Sequence, residues 1–234
     1  MVMLNWALRY APVVEFLSRT EGTILEVGSG HQGVAAFLGR RQCVGVDLDF
    51  AGSCSPNLVP VRASALALPF TANAFDCVVS LDMLEHIAQA DRSTAVAELL
   101  RVAGRYLVLG FPSGEAALKT DRRVSAFFGL FGKSPDWLRE HLSLGGHPTV
   151  KAVQEVIGDQ ARLLDLKRNS NATLHGLVTI GDHLPVTSWL MKRVANVELI
   201  SRAAPLLNAG TTYRSILFYE KCVEGEVSLI EAPE

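Results

Sequence analysis

Apolar positions along the chain recur with two different periods, and the alternation between them predicts the architecture. At residues 3–19 the spacing of Leu4, Leu8, Val13, Phe16 and Leu17 is helical, and Pro12 is expected to mark a break or a first turn. From residue 23 short apolar runs exchange with helical stretches. Thr23–Val27 reads as a strand, Gln32–Leu38 as a helix ending near Gly39, Cys43–Val46 as a second strand and Leu58–Val61 as a third apolar stretch. Phe75–Leu81 is a further strand, Ser93–Ala103 a helix with Val96, Leu99 and Leu100 on one face, and Arg105–Phe111 a strand again. Strands that are almost unbroken apolar runs, separated by helices, indicate a mostly parallel, doubly wound α/β sheet covered on both faces.

The pattern loosens after Pro112. Residues 113–148 hold Phe127-Phe128, Leu130-Phe131, Trp137 and several Gly and Pro, and read as short helices and loops. Helix Thr149–Gln160 and strand Ala161–Leu166 follow, then a helical stretch over 172–208 in two pieces divided near Pro185. Strand Tyr213–Tyr219 closes the pattern, and the last dozen residues are expected to fray. One domain spanning 1–234 results. Its core covers about 20–112, 149–168 and 211–222, and helical insertions at about 113–148 and 169–210 form a cap over the site.

Composition narrows the function classes. The 234 residues suffice for one large domain, and 49% hydrophobic with 20% charged residues is an ordinary globular balance. A net charge of -2 lacks the basic excess of a general nucleic-acid binder. Four separated cysteines with no C-x-x-C pair predict neither a disulfide framework nor a zinc site. Glu15, Arg19 and Glu21 interrupt any secretion signal, and no apolar run reaches the roughly 18 residues of a membrane span. The expectation is a cytoplasmic protein, in which the sequon at Asn171 is fortuitous.

Chemistry concentrates in Ile24-Leu25-Glu26-Val27-Gly28-Ser29-Gly30-His31-Gln32-Gly33, a glycine loop between a predicted strand and a predicted helix. Gly28 permits the tight turn, and Gly30, lacking Cβ, lets a ligand approach the backbone. About twenty residues on, Asp47 ends the next strand, where a carboxylate can accept hydrogen bonds from both hydroxyls of a ribose. Two ligands compete for this arrangement. Gly28-x-Gly30-x-x-Gly33 is formally a dinucleotide fingerprint, with a pyrophosphate on the helix N-terminus. Glu26 opposes that, because its charge would repel a pyrophosphate and attract a ligand carrying an ammonium group. S-adenosylmethionine carries an ammonium and a sulfonium.

The next block, Ala67-Leu68-Pro69-Phe70 through Phe75-Asp76-Cys77-Val78-Val79-Ser80 to Leu81-Asp82-Met83-Leu84-Glu85-His86-Ile87, resembles a segment of class I S-adenosylmethionine-dependent methyltransferases. The loop around Glu26, Gly28 and Gly30 and the aspartate Asp47 resemble that family's first two motifs, in order and at the right spacing. The resemblance covers about residues 20–112 and implies a Rossmann-like fold with S-adenosylmethionine as cofactor. It implies that Gly28, Ser29 and Gly30 face the methionine and ribose parts, and that Glu26 orients the amino group directly or through water. Asp47, with Leu48, would hold the ribose. Ser80 and Leu81 would line the crevice beside the sulfonium. Ser64 stands where many members have an adenine-binding aspartate, so Ser64 and the backbone at Ala65 would meet the adenine. Gln32 replaces a third close glycine.

Methyl transfer needs an aligned acceptor and, for an oxygen or nitrogen nucleophile, often a base. Asp82, Glu85, His86, His141 and His147 are the candidates, and His86 is the first choice because imidazole titrates near neutral pH. Asp76, beside Phe75 at a strand start, reads as a turn cap. The acceptor expected is a small molecule rather than a nucleic acid. An NAD(P)-dependent dehydrogenase and a non-catalytic S-adenosylmethionine-binding protein stay open beside the methyltransferase.

Overall fold

Alternation along the strands decides how the layers stack. In strand β1 (Ile24–Val27), Leu25 and Val27 point to one side and Ile24 and Glu26 to the other. The computed structural model describes residues 3–222 apart from Lys133. Its sheet also contains β2 (Cys43–Asp47), β3 (Leu58–Arg62), β4 (Phe75–Leu81), β5 (Ala103–Pro112), β6 (Ala161–Asn171) and β7 (Thr212–Lys221), in the order β3-β2-β1-β4-β5-β7-β6. The first five strands in that order are parallel, and β7 runs antiparallel to both β5 and β6. This is the expected doubly wound, mostly parallel sheet.

One core face joins Leu25, Val27, Val78, Leu107 and Leu109 to the helices α2 (Arg92–Val102) and α5 (Val150–Ile157). Val96, Leu99 and Leu100 of α2 are each at most 2% exposed, and burying each such side chain is worth about 1.5–3 kcal/mol. The opposite face joins Ile24, Cys77, Val79, Val108, Ile216 and Phe218 to α1 (Leu4–Leu17) and to a five-residue 3₁₀ turn, Gly33–Phe37. Chain direction diverges between β1 and β4, one half of the sheet growing through β2 and β3 and the other through β5. A crevice opens beyond the carboxyl ends of strands at such a switch point.

Several elements differ from the sequence pattern. The first helix runs straight through Pro12. The stretch Gln32–Leu38 is the 3₁₀ turn rather than a full helix, because Gly33 has a φ of 50° that no regular helix accommodates. Residues 113–148 contain the 16-residue helix α3 (Gly114–Gly129) and α4 (Asp136–Ser143). Strand β6 runs five residues past Leu166 to Asn171. Helical residues 172–208 form three pieces, α6 (Ala172–His183), α7 (Pro185–Val194) and α8 (Val197–Leu207). The break at Pro185 is as expected, and the second break comes where Asn196 caps α8 by accepting from the N–H groups of Glu198 and Leu199. Asn171 likewise caps α6, which gives the sequon asparagine a structural use. The expected fraying at the C-terminus falls on residues 223–234, outside the described residues. No helix among the described residues is long and apolar enough to cross a membrane.

Candidate active site

The glycine loop is held by the strands beneath it. Gly28 and Ser29 donate their N–H groups to the Val46 carbonyl of β2, and Ser80 on β4 donates its hydroxyl to the Val27 carbonyl. Gly28 has a φ of 83°, and a Cβ there would press on Met83 at 2.7 Å. Asp47 turns back on the loop: Oδ2 accepts from the Gly30 N–H at 2.7 Å and Oδ1 from the Leu48 N–H at 2.8 Å. A carboxylate has about four acceptor positions, so Asp47 retains capacity for ligand hydroxyls.

Glu26 is fully buried. Its Oε1 accepts from the Tyr10 hydroxyl at 2.6 Å and its Oε2 from the Val34 N–H at 2.6 Å. Burial raises its carboxyl to about 7, against the opposing pull of these hydrogen bonds. Gly33 makes this possible, since a Cβ there would sit 2.0 Å from Glu26 Oε2. The third glycine of the apparent dinucleotide fingerprint therefore makes room for a protein carboxylate. The N-terminal N–H that would greet a pyrophosphate is already occupied by that carboxylate.

Above the loop lies a cleft of about 620 Å³, well within the size range of small-molecule sites. Gly28, Ser29 and Gly30 line it, with Asp47 and Leu48 after β2, Ser64 and Ala65 after β3, and Asp82, Met83 and His86 after β4. Of the three carboxylates on this wall, Asp82 is paired with guanidinium groups, and Asp47 and Asp91 leave a modest negative balance suited to a cationic ligand. Ser64 accepts the Leu66 N–H through its hydroxyl, which keeps that turn in shape.

Beside the cleft is a smaller cavity of about 180 Å³, sharing Arg9, Asp82 and His86 with it and lined further by Glu85, Trp137, His141, His175 and Tyr213. Asp82 occupies the junction with a φ of 50°, a strained backbone for a residue with a side chain. It accepts from Arg9 at 3.0 Å and from Arg214 Nε at 2.5 Å, and Arg214 is itself 1% exposed. Burial would raise the Asp82 carboxyl, but the two guanidinium groups outweigh it and hold the group well below the usual range. A carboxylate so strongly held is a poor proton acceptor. His86 meets Glu140 through Nδ1 at 2.7 Å and His141 through Nε2 at 3.3 Å. Burial, followed by the His141 ring, pushes the His86 imidazole below its ordinary value.

Residues 25–105, from β1 into β5, match the model of a family described as a methyltransferase domain. That segment is similar to a methyltransferase domain. The fold of the chain is similar to that of magnesium protoporphyrin IX methyltransferase from Synechocystis PCC 6803, solved with bound SAH. That likeness has a TM-score of 0.57 at 14% identity over 93% of this chain and 84% of that one. It is also similar to the YcgJ protein from Bacillus subtilis, with a TM-score of 0.55 at 16% identity over 94% and 99% of the two chains. A third likeness is to the cyclase SpnF, with a TM-score of 0.55 at 16% identity over 92% and 82%. At these identities the likeness is one of fold.

Of the ten residues expected to hold the cofactor, seven line the cleft: Gly28, Ser29, Gly30, Asp47, Leu48, Ser64 and Ala65. Three do not. Glu26 lies beneath the loop with both oxygens engaged by protein groups, and Ser80 and Leu81 are buried at 2% and 1% exposure. The strand ends one residue sooner than the crevice, so Asp82 and Met83 take the wall position expected of Ser80 and Leu81. Asp76 serves as the predicted turn cap, accepting from the Thr23 N–H and hydroxyl. Among the described residues the cap does not roof the larger cleft, whose lining contains none of them from 113–210. Its α4 packs instead on the turn Leu84–His86 and walls the smaller cavity. Trp6 and Arg9 of α1 also line the cleft. Sequence reasoning passed over both, because a helix ahead of the first strand carries no motif, and only the break in apolar spacing at Arg9 hinted at a polar task.

Proposed function

We propose that this protein transfers the methyl group of S-adenosylmethionine to a small-molecule acceptor. The observation that carries the proposal is the occupied loop: Glu26 takes the Val34 N–H, which disfavours a pyrophosphate, and Asp47 stands at the end of β2 beside the loop. The methionine part of the cofactor lies over Gly28–Gly30, the ribose on Asp47 and the adenine between Leu48 and the turn at Ser64 and Ala65. Glu26 then acts on the ammonium through the loop or through a water, since no oxygen of its carboxylate is free to turn upward. The acceptor enters through the smaller cavity, lined by Trp137 and by the mutually stacked His175 and Tyr213, with Asp82 and His86 at the boundary with the cleft. Protein positioning is the main catalytic task, because the sulfonium is already a good leaving group. The nucleophile must be held about 3–3.5 Å from the methyl carbon, in line with the breaking bond. His86 has Glu140 on Nδ1, and its Nε2 faces His141 Nε2 at 3.3 Å, which argues against its serving unaided as the base.

Calorimetric titration with S-adenosylmethionine, NAD and NADP tests the cofactor. Binding of S-adenosylmethionine alone, weakened at least about tenfold in Asp47→Ala, a change of about 1.4 kcal/mol, is expected. Preference for a nicotinamide nucleotide would reverse the reading of Glu26, and a tight S-adenosylmethionine complex with no turnover across an acceptor screen would favour a non-catalytic role.

A further inference from the structure

Two elements bring three ligating groups together beside the smaller cavity. Glu85 and His86 belong to the single turn after β4, and His141 comes from α4. One oxygen or nitrogen from each of the three lies within 4.8 Å of the others. The Nε2 atoms of His86 and His141 are 3.3 Å apart, and Glu85 Oε1 is 3.9 Å from His141 Nε2. Glu85 is fully buried, and neither of its oxygens has a hydrogen-bond partner, a costly arrangement for a carboxyl group.

Proton accounting at the two rings points to what the cluster holds. His141 Nδ1 is 2.9 Å from Asp121 Oδ2, and His86 Nδ1 is 2.7 Å from Glu140 Oε2. Carboxylates accept, so each neutral ring carries its hydrogen on Nδ1 and presents a bare lone pair at Nε2. The two lone pairs then face one another. A direct hydrogen bond between them would need a third proton, making one ring an imidazolium. A coordinated cation uses both lone pairs without that proton. Imidazoles backed by carboxylates through their other nitrogen are the common support of protein-bound metals. Zinc–nitrogen bonds of about 2.0–2.1 Å in tetrahedral geometry place two ligand nitrogens about 3.3–3.4 Å apart, the separation seen here.

We propose that Glu85, His86 and His141 bind a zinc ion, leaving one coordination position open to the smaller cavity. Two imidazoles and one carboxylate form a donor set suited to zinc, and three protein ligands leave the fourth position for water or substrate. Asp121 and His147 approach His141 from its other side, and Asp121 with these two rings is a second group close enough to hold an ion. Asp121 already accepts the Tyr213 hydroxyl at 2.8 Å and meets His141 Nδ1 at 2.9 Å, while His147 Nε2 approaches it at 3.1 Å without making a hydrogen bond. It is therefore the outer support of the site. The ion's use rests on the methyl-transfer reading: it would bind an acceptor oxygen, lower that group's pKa and fix it in line with the methyl carbon.

Metal binding is tested without any acceptor. Full-length protein stripped with a chelator is dialysed against zinc sulfate and the retained metal counted. Cobalt(II), substituted for zinc, reports coordination through its ligand-field absorption. One zinc per chain is expected, with retention reduced at least tenfold in Glu85→Gln, His86→Ala and His141→Ala and weakened by about 10–100-fold in Asp121→Asn. His147→Ala and the distant His31→Ala should retain it. Circular dichroism and thermal melts confirm that each variant is folded, and His86→Ala, whose ring is 32% exposed, is the variant least exposed to a folding defect. Failure of the wild-type protein to take up zinc overturns the proposal. So does equal retention in folded His86→Ala, or loss in His147→Ala with retention in Glu85→Gln. S-adenosylmethionine titration of the same samples separates the two ideas, since zinc uptake without cofactor binding would sink the methyl-transfer reading and leave the metal site standing.

Discussion

At the scale of single residues, Glu26 governs the most. Its carboxyl stands at about 7 against an ordinary value of 4.5, because burial removes the water that would solvate its charge. A folded-state value above the unfolded one means that the fold binds this proton more tightly. Its contribution to stability is fully present below about pH 4.5 and is lost as pH rises through 7. Glu26→Gln keeps an acceptor for the Val34 N–H and removes the titration. Between pH 5 and 8 the wild-type protein should therefore lose stability relative to this variant by on the order of 3 kcal/mol, measured by urea unfolding at each pH. Parallel pH curves for the two proteins would show that Glu26 does not titrate in this range. The same site links pH to the cofactor. An ammonium held near Glu26 favours its charged form, so S-adenosylmethionine binding at pH 6.5 should release a fraction of a proton, read from calorimetric heats in buffers of different ionisation enthalpy. Proton-neutral binding would place the ammonium elsewhere.

At the scale of elements, the end of β4 is where the cleft, the cap and the N-terminal helix meet, and a buried ion-pair group holds them there. Asp82 ties Arg9 of α1 to Arg214 of β7, and Arg214 also donates to Asn169 of β6 at 3.0 Å. Arg214→Met should cost about 3–5 kcal/mol, the usual result of leaving one member of a buried pair behind. Adding Asp82→Asn should cost less than the sum of the two single changes, checked by a double-mutant cycle in thermal or denaturant unfolding. Strict additivity would mean that the two groups are not coupled. These elements also mark how far the sequence could be read. The strands β1, β2, β4 and β5 were legible because they are buried on both sides, and the loop was legible because its chemistry is local. Helix α3 was not, because the face it buries is Ala117, Thr120, Asp121 and Val124, whose spacing is helical but whose middle members are polar. The far half of β6 escaped for a similar reason: Asn169 and Ser170 are buried, and Asn169 bonds to Arg214 and to the Leu8 carbonyl rather than to an apolar core. Separated cysteines predicted no zinc site, and the proposed cluster of Glu85, His86 and His141 leaves no spacing signature along the chain.

At the scale of the whole molecule, α1 connects the cofactor cleft to the cap. Its Trp6 and Arg9 reach the cleft, its Tyr10 holds Glu26, and its Ala7, Leu8 and Ala11 pack with Val178 of α6 and Ile200 of α8. A ligand that fills the cleft gains contacts from α1 and so favours the state in which α1 is docked. Anything else resting on α1 should be steadied by the same free energy, which for a ligand at a hundred times its Kd is about 2.7 kcal/mol. Hydrogen exchange followed by mass spectrometry can trace where that free energy goes. Saturating S-adenosylmethionine should slow exchange in the glycine loop and at Asp47 and Leu48, and also in α1 and α8, although α8 touches neither the cleft nor the ligand. Helix α5, on the opposite face of the sheet and without contact to α1, serves as the internal comparison and should change least. Protection confined to the loop and the end of β2 would mean that α1 is docked equally firmly with and without cofactor, leaving the cap to respond to the acceptor alone. Protection reaching α8 would instead make cofactor binding the step that sets the cap, so that the smaller cavity is shaped before the acceptor arrives. An ordered kinetic mechanism, cofactor first, would then follow from the packing of one helix.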